Sequence, residues 1–253
     1  MKGRKKDIPD LKGGYWRSGL WSRIIDAVFP RRCPFCDEVT EYGELICRDC
    51  RERIPYIGED YCMKCGKLLA KGDREYCTDC RSTEHLFRRG RALYVYNDMT
   101  RGAITRLKYH GRREYADYFG HDISDRLGNY LSGCRPDVLV PVPVSDEKLR
   151  SRGYNQAKLL ADALSSHTGI PVEDSLVVRC KNTKPMKELT RIERMKNLKG
   201  AFKKGAHDVK CRNVMIVDDI YTTGSTIDAV SVVLKAAGAE NVFYVTLAAG
   251  TPM

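Results

Sequence analysis

Two adjacent carboxylates, Asp218 and Asp219, end an apolar run in the stretch VMIVDDIYTTGSTIDAV, and Thr222, Thr223, Gly224, Ser225 and Thr226 follow them. That loop offers backbone N–H groups at the start of a helix together with four hydroxyls, a donor-rich concavity for a phosphate. Ionised aspartates only accept hydrogen bonds, so the pair calls for hydroxyl donors or metal-bound water rather than phosphate oxygens. Acceptors beside a phosphate cradle describe a ribose 5-phosphate. The loop has no lysine and is therefore not the Gly-Lys-Ser/Thr loop of nucleotide triphosphatases, which also argues against a Walker B reading of the aspartates. The plain alternative is that the two aspartates cap a turn and the loop binds nothing.

A second group of residues with chemical capacity lies upstream. Eight of the eleven cysteines form four Cys-x-x-Cys pairs, Cys33/Cys36, Cys47/Cys50, Cys62/Cys65 and Cys77/Cys80. Two such pairs make a tetrahedral thiolate cage of the kind Zn²⁺ prefers, so two structural zinc ions satisfy all eight. Sequential pairing is the simplest arrangement, and an interleaved one stays open because spacing alone does not decide connectivity. Redox-active pairs are the competing reading, but thioredoxin-like motifs need a βαβ context that this segment lacks. Cys134, Cys180 and Cys211 stand alone and read as semi-buried small apolar residues.

The elements that must position these groups follow from periodicity. Beyond the cysteines, helical stretches alternate with short apolar runs, the pattern of an α/β domain with a mostly parallel sheet flanked by helices. The predicted strands are 92–96, 137–142, 175–179, 214–218 and 242–247, and the predicted helices 100–108, 114–131, 155–168 and 225–237, the last stopped by Gly238. Ahead of the cysteines, Leu20, Trp21, Ile24, Ile25, Val28 and Phe29 recur at helical spacing between Ser18 and Pro30. This short amphipathic helix reads as packing onto a metal module with little core of its own, with a membrane-surface role as the alternative. The domain organisation is thus an extension with a short helix at 1–30, a double zinc-ribbon module at 31–82 and an α/β domain at 90–253.

Composition sets outer bounds. No run approaches the roughly 20 apolar residues that span a bilayer, and the N-terminus lacks a signal-peptide core with a cleavage site, so a cytoplasmic protein is expected. The formal net charge of +11 points to anionic partners. Ten basic residues against Glu188 and Glu193 concentrate that charge in the run 179–204.

IVDDIYTTGST resembles the signature of type I phosphoribosyltransferases. LKYHGRREYA, VLVPVPVSDEKLRSRGYNQAKLLA, LTRIERMKNLKGAF and the cysteine-rich front narrow the likeness to the ComF family of competence proteins, over about residue 30 to the C-terminus. Met186 departs from the glutamine of the family's T-x-x-Q pattern. The resemblance implies a type I phosphoribosyltransferase fold behind a zinc ribbon, with Asp218 and Asp219 as the catalytic pair on the ribose hydroxyls of Mg²⁺-bound phosphoribosyl pyrophosphate (PRPP). It implies that Thr222, Thr223, Gly224, Ser225 and Thr226 hold the 5-phosphate and that Tyr221 is among the PRPP-binding residues. The residues after VPVPV would form a pyrophosphate loop with positive charge from Lys148, Arg150 and Arg152. Lys108, Tyr109 and His110 fall in the segment resembling the family's N-terminal hood, with His110 a low-priority general base.

Two functions follow from this reading. One is a PRPP-binding phosphoribosyltransferase-like protein linked to DNA uptake, with an acceptor the sequence does not define. The other is an adaptor in which the zinc module and the basic run bind single-stranded DNA or a DNA-uptake helicase, the transferase site being regulatory or vestigial.

Overall fold

The computed structural model describes residues 30–180, 198, 200–205 and 211–250. The amphipathic stretch 18–29, Met186 and most of the basic run lie outside them. The chain forms two compact units, Met1–Ile54 and Pro55–Met253.

In the first unit Arg32 and Val39 bridge across a tight turn, where Asp37 takes a positive φ of 65° and the Cys33 N–H donates to the Glu38 carbonyl at 2.8 Å. Cys47 then precedes helix α1 (Arg48–Arg53), whose first turn carries Cys50. The second unit opens with the same device: a Tyr61–Leu68 bridge, a positive φ at Gly66, a Cys62 N–H to Lys67 carbonyl bond of 2.8 Å, and Cys77 ahead of α2 (Thr78–Ser82) with Cys80. The ligand atoms of Cys33, Cys36, Cys47 and Cys50 lie within 4.8 Å of one another, as do those of Cys62, Cys65, Cys77 and Cys80. A tetrahedral thiolate site with Zn–S bonds of about 2.3 Å has sulfur–sulfur edges of about 3.8 Å. Cys36 and Cys47 stand 3.7 Å apart and Cys65 and Cys77 3.6 Å. Both tetrads fit zinc, and the sequential pairing is the one formed.

Four parallel strands make the sheet of the second unit: β1 (Arg89–Val95), β2 (Val138–Pro141), β5 (Asn213–Tyr221) and β6 (Asn241–Ala249), in the order β1-β6-β5-β2. Every residue of β5 and β6 except Asn213, Ile220 and Asn241 is buried, as near-continuous apolar runs require in a sheet covered on both faces. Between β1 and β2 lie α3 (Asp98–Tyr109), α4 (Tyr115–Arg126) and α5 (Gly128–Cys134). α3 starts at a capping box in which Asn97 and Thr100 satisfy each other's backbone N–H. The single helix predicted over 114–131 is interrupted at Leu127, whose backbone leaves the helical region beside Gly128. α6 (Asp146–Arg152), absent from the predicted elements, follows β2 and is capped by Ser145. α7 (Gln156–Thr168) then packs on β2 and β5. α8 (Ser225–Ala236) leads from β5 to β6.

The strand predicted at 175–179 exists as β3 (Val177–Arg179) but does not join the sheet. It pairs antiparallel with β4 (Phe202–Lys204), an unpredicted strand, because only Val177 and Phe202 are apolar and inward while their neighbours are charged or exposed. Arg179 at the head of the basic run and Lys203 and Lys204 at its end therefore lie in two paired strands. Cys134 is buried and Cys211 partly buried as expected, whereas Cys180 is exposed beside this hairpin. Among the described residues no helix is long and apolar enough to cross a membrane.

The second ribbon shares its core with the sheet: Cys62, Cys65, Cys77 and Phe87 belong to the same buried cluster as Val214, Ile216, Val242 and Tyr244. Gly66 makes this possible, since a Cβ there would stand 2.5 Å from the Gly90 carbonyl at the start of β1. The Tyr244 hydroxyl donates to the Cys65 carbonyl from below. Cys65→Ser should therefore reduce the zinc content from two ions to one by elemental analysis. It should also lower the stability of the sheet unit in thermal unfolding by about 3 kcal/mol or more, roughly 6–12 °C.

Candidate active site

β5 brings Asp218 and Asp219 to the carboxyl end of the sheet, the end at which open α/β sheets bind ligands. Both side chains are buried, and the Asp219 N–H donates to Asp218 Oδ1 at 2.9 Å. Burial, and then the charge of Asp219, pushes the Asp218 carboxyl well above the usual carboxylate range. Burial acts in the same direction on Asp219, but the Lys108 ammonium paired with it and the hydrogen bond to Asp218 outweigh that and hold it below its ordinary value. Burial and its neighbour thus favour the protonated form of Asp218, while Lys108 favours the charged form of Asp219.

Cations ring this pair. Lys108 arrives from the last turn of α3. Arg179, at the end of β3, is close enough to Asp218 to interact with it and lies 5.3 Å over the Phe202 ring. Lys148, on α6, is pushed below the usual lysine range by burial and then by the neighbouring charges of Arg179, Arg152 and Lys108, with Asp219 opposing them. Arg152 is fixed by bonds of 2.8 Å to Gln156 Oε1 and to the Tyr109 hydroxyl, and its guanidinium lies 4.6 Å over the Tyr109 ring. Arg150 is exposed on the same helix. So Lys148 and Arg152 join the aspartates in one electrostatic cluster, and the predicted pyrophosphate loop is a short helix. Arg179 joins the same cluster although only its place at the head of the basic run pointed to it. Lys108 was placed by sequence in a hood segment, and its ion pair with Asp219 was not foreseen. His110 is an exposed C-cap residue of α3.

The loop after β5 folds into a small concavity lined by residues 220–227, Thr222, Thr223 and Thr226 among them. Gly224 takes a positive φ of 81° as the N-cap of α8, and no side chain caps that helix, leaving its first N–H groups to the concavity. Thr223 and Ser225 hydroxyls are 2.9 Å apart. Tyr221 supports the loop from inside: its buried ring stacks on Tyr244 at 4.9 Å, and its hydroxyl would be 2.6 Å from a Cβ on Gly224. His85 completes this support, with Nδ1 2.7 Å from Asp228 Oδ2 on the first turn of α8 and its ring 4.7 Å from Phe87. Nothing in the sequence had singled it out, because its partner is 143 residues away.

A parallel sheet ending in a paired-aspartate strand and a phosphate-type loop, with a zinc ribbon ahead of it, defines a phosphoribosyl transferase domain behind a double zinc ribbon. Comparison with known families agrees: the double zinc ribbon domain matches residues 24–81 and the phosphoribosyl transferase domain residues 136–251. The chain is 32% identical over 193 residues to competence protein ComFC of Bacillus subtilis (strain 168), covering 73% of this chain and 75% of that protein. It is 29% identical over 203 residues to competence protein F of Haemophilus influenzae, covering 78% and 87%. To the DNA utilization protein YhgH of Escherichia coli (strain K12) it is 29% identical over 217 residues, covering 84% and 94%. The chain belongs to the ComF family.

Gly224→Ala would combine backbone strain with overlap against Tyr221 and His85, whose Cε1 would stand 3.0 Å from the new Cβ. A loss of about 1–3 kcal/mol in denaturant unfolding is expected.

Proposed function

We propose that the carboxyl end of the sheet binds Mg²⁺-PRPP, and that the protein serves competence through this site, as a cytoplasmic member of a family whose relatives are named for competence and DNA utilization. One observation carries the reading: a buried aspartate pair held by Lys108 stands directly before a helix N-terminus that no side chain caps. The aspartates suit the ribose 2′- and 3′-hydroxyls and the metal's water shell, and Thr222, Thr223, Gly224, Ser225 and Thr226 suit the 5-phosphate. Lys148, Arg150 and Arg152, on the helix that follows β2, would supply the positive charge for pyrophosphate. Magnesium fits as a companion of the substrate, since carboxylate oxygens and phosphates are the donors it takes.

With an acceptor nitrogen present, the bond from C1 to the pyrophosphate oxygen breaks with its electron pair leaving on pyrophosphate, and the oxocarbenium-like sugar is captured by the acceptor. The chain's part in this is electrostatic. Lys148 already carries a depressed pKa among like charges, so an arriving anion relieves repulsion at the place where negative charge develops. Asp218 and Asp219 orient the sugar and hold the counter-charge on the other side.

Calorimetry with PRPP and Mg²⁺ tests this directly. The Asp218→Asn/Asp219→Asn variant should lose PRPP affinity by a factor on the order of 10² or more while keeping its fold and both zinc ions. Absence of binding by the wild-type protein would remove the reading.

Protonation adds a second check. Burial raises the Asp218 pKa in the free protein and an acceptor must be ionised, so binding should release protons below that raised pKa, and it should weaken as pH falls through it. The release appears as a buffer-dependent binding enthalpy and should be absent in Asp218→Asn. The same raised pKa means that ionised Asp218 detracts from stability as pH rises, so Asp218→Asn should unfold at a temperature no lower than the wild type at neutral pH.

A further inference from the structure

Lys108 is the counter-charge of Asp219 Oδ2. The aspartate side chain is 7% exposed, and no Ser, Thr or Tyr hydroxyl and no backbone N–H of the described residues donates to that oxygen. The lysine side chain is itself only 17% exposed, so the two opposite charges meet with little water to screen them. A hydrated divalent cation that approaches this carboxylate alone meets a positive charge already seated on it.

The segment after β2 holds Lys108 from both flanks. The Tyr154 hydroxyl donates to the Leu107 carbonyl, one residue before the lysine, and Arg152 Nη2 donates to the Tyr109 hydroxyl at 2.8 Å, one residue after it. Arg113, beyond Gly111 with its positive φ of 69°, lies 4.5 Å over the Tyr154 ring and adds a third tie between the same two segments. Arg152 is also one of the cations that pyrophosphate would engage. An anion that takes its guanidinium competes with the Tyr109 hydroxyl for it, and so loosens the residue next to Lys108.

We propose that Lys108 is a specificity-determining residue: it closes the aspartate pair to free divalent metal and yields it only to metal that arrives on a pyrophosphate-bearing ligand. This role rests on the Mg²⁺-PRPP reading of the site and adds the order in which its parts enter. A bare cation repels the ammonium and offers it no new partner, which is discrimination by a built-in repulsion. A pyrophosphate group offers Lys108 oxygens in exchange for the carboxylate, so the ligand binds the opened arrangement better than the closed one and can shift the balance between them. After the exchange the metal faces Asp219 and Lys108 faces the anion. No charge is left buried and unpaired on either side, which is the outcome that would be most costly.

The test uses the zinc-loaded full chain and Mn²⁺ as the probe, followed by water-proton relaxation. With Mn²⁺ alone the wild type should show no enhancement that Asp219→Asn removes, and adding PRPP should bring one. Lys108→Met should bind Mn²⁺ without PRPP at least about tenfold more tightly than the wild type, because a like charge beside the ion is gone and a buried carboxylate is left in need of one. Lys108→Met/Asp219→Asn should lose that gain. Should Lys108→Met not fold, Tyr109→Phe decides in its place. That ring is 60% exposed and Lys108 stays, and loss of the hydroxyl bonded to Arg152 should tighten Mn²⁺ binding by about threefold. Wild-type protein that binds Mn²⁺ at the pair as tightly as Lys108→Met would overturn the proposal. So would the absence of a gain in folded Lys108→Met, or in Tyr109→Phe where it stands in, and so would a gain that survives Asp219→Asn. A wild type that ignores PRPP while Lys108→Met still gains Mn²⁺ would support the exclusion of free metal and remove the PRPP reading alone.

Discussion

Two carboxylates on consecutive residues at the end of a buried strand repel each other and forgo solvation. The arrangement persists only because Lys108 reaches Asp219 from the last turn of α3 and Asp218 can keep its proton. Most of the second unit's irregular features follow from meeting that demand. α3 must begin at a fixed point to end at Lys108, and the reciprocal Asn97–Thr100 cap fixes it. The β3–β4 hairpin delivers Arg179 to the same place from a different direction. Removing the counter-charge from a buried carboxylate generally costs more than the pair itself contributes, so the cations here are part of the fold before they are part of any chemistry.

The second zinc ribbon answers a different need. The loop after β5 leaves the first N–H groups of α8 uncapped by any side chain, and the aromatic layer of Phe87, Tyr221 and Tyr244 packs beneath it. That layer ends on the ribbon: Tyr244 bonds to the Cys65 carbonyl, and Lys67, paired with Asp79, lies 5.6 Å over the Tyr221 ring. A thiolate cage is rigid at little cost in chain length, which suits it to brace a loop that has no secondary structure of its own. The ribbon is thereby connected to the candidate site through three rings and one glycine contact, and a zinc ion bound in it would brace the loop without contributing a ligand to it.

Legibility in the sequence followed the range of the interaction. The cysteine tetrads, the aspartate pair and the loop after it were readable because each is built from residues a few positions apart, and β5, β6, α7 and α8 were readable because burial imposes a period on them. The break at Leu127 was not, since Gly128 is compatible with a helix and only tertiary packing decides. β3 was misassigned to the sheet because three apolar-tending residues look alike whether they pair with a central strand or with a hairpin partner. Lys108, Arg179 and His85 escaped assignment to the site for one reason: their partners lie 111, 39 and 143 residues away, beyond any local pattern.

Net charge illustrates the same limit more sharply. The surplus of +11 was read from the run 179–204, where it is densest, yet the structure sorts basic residues by what holds them rather than by where they crowd. At the carboxyl end of the sheet, Lys108 is bound to a buried carboxylate and Arg179 interacts with another, so their charge is largely spent in the free protein and an anion there must compete with the aspartates or be joined to a group they want. A sugar hydroxyl attached to a phosphate meets that condition and an isolated phosphate does not. At the amino end of the same sheet the Asn241 amide accepts from Arg88 and the Tyr130 ring lies under Arg89, so neutral groups rather than carboxylates face those cations. The two ends of one sheet thus compensate their cations differently, which a count of charges along the chain does not reveal.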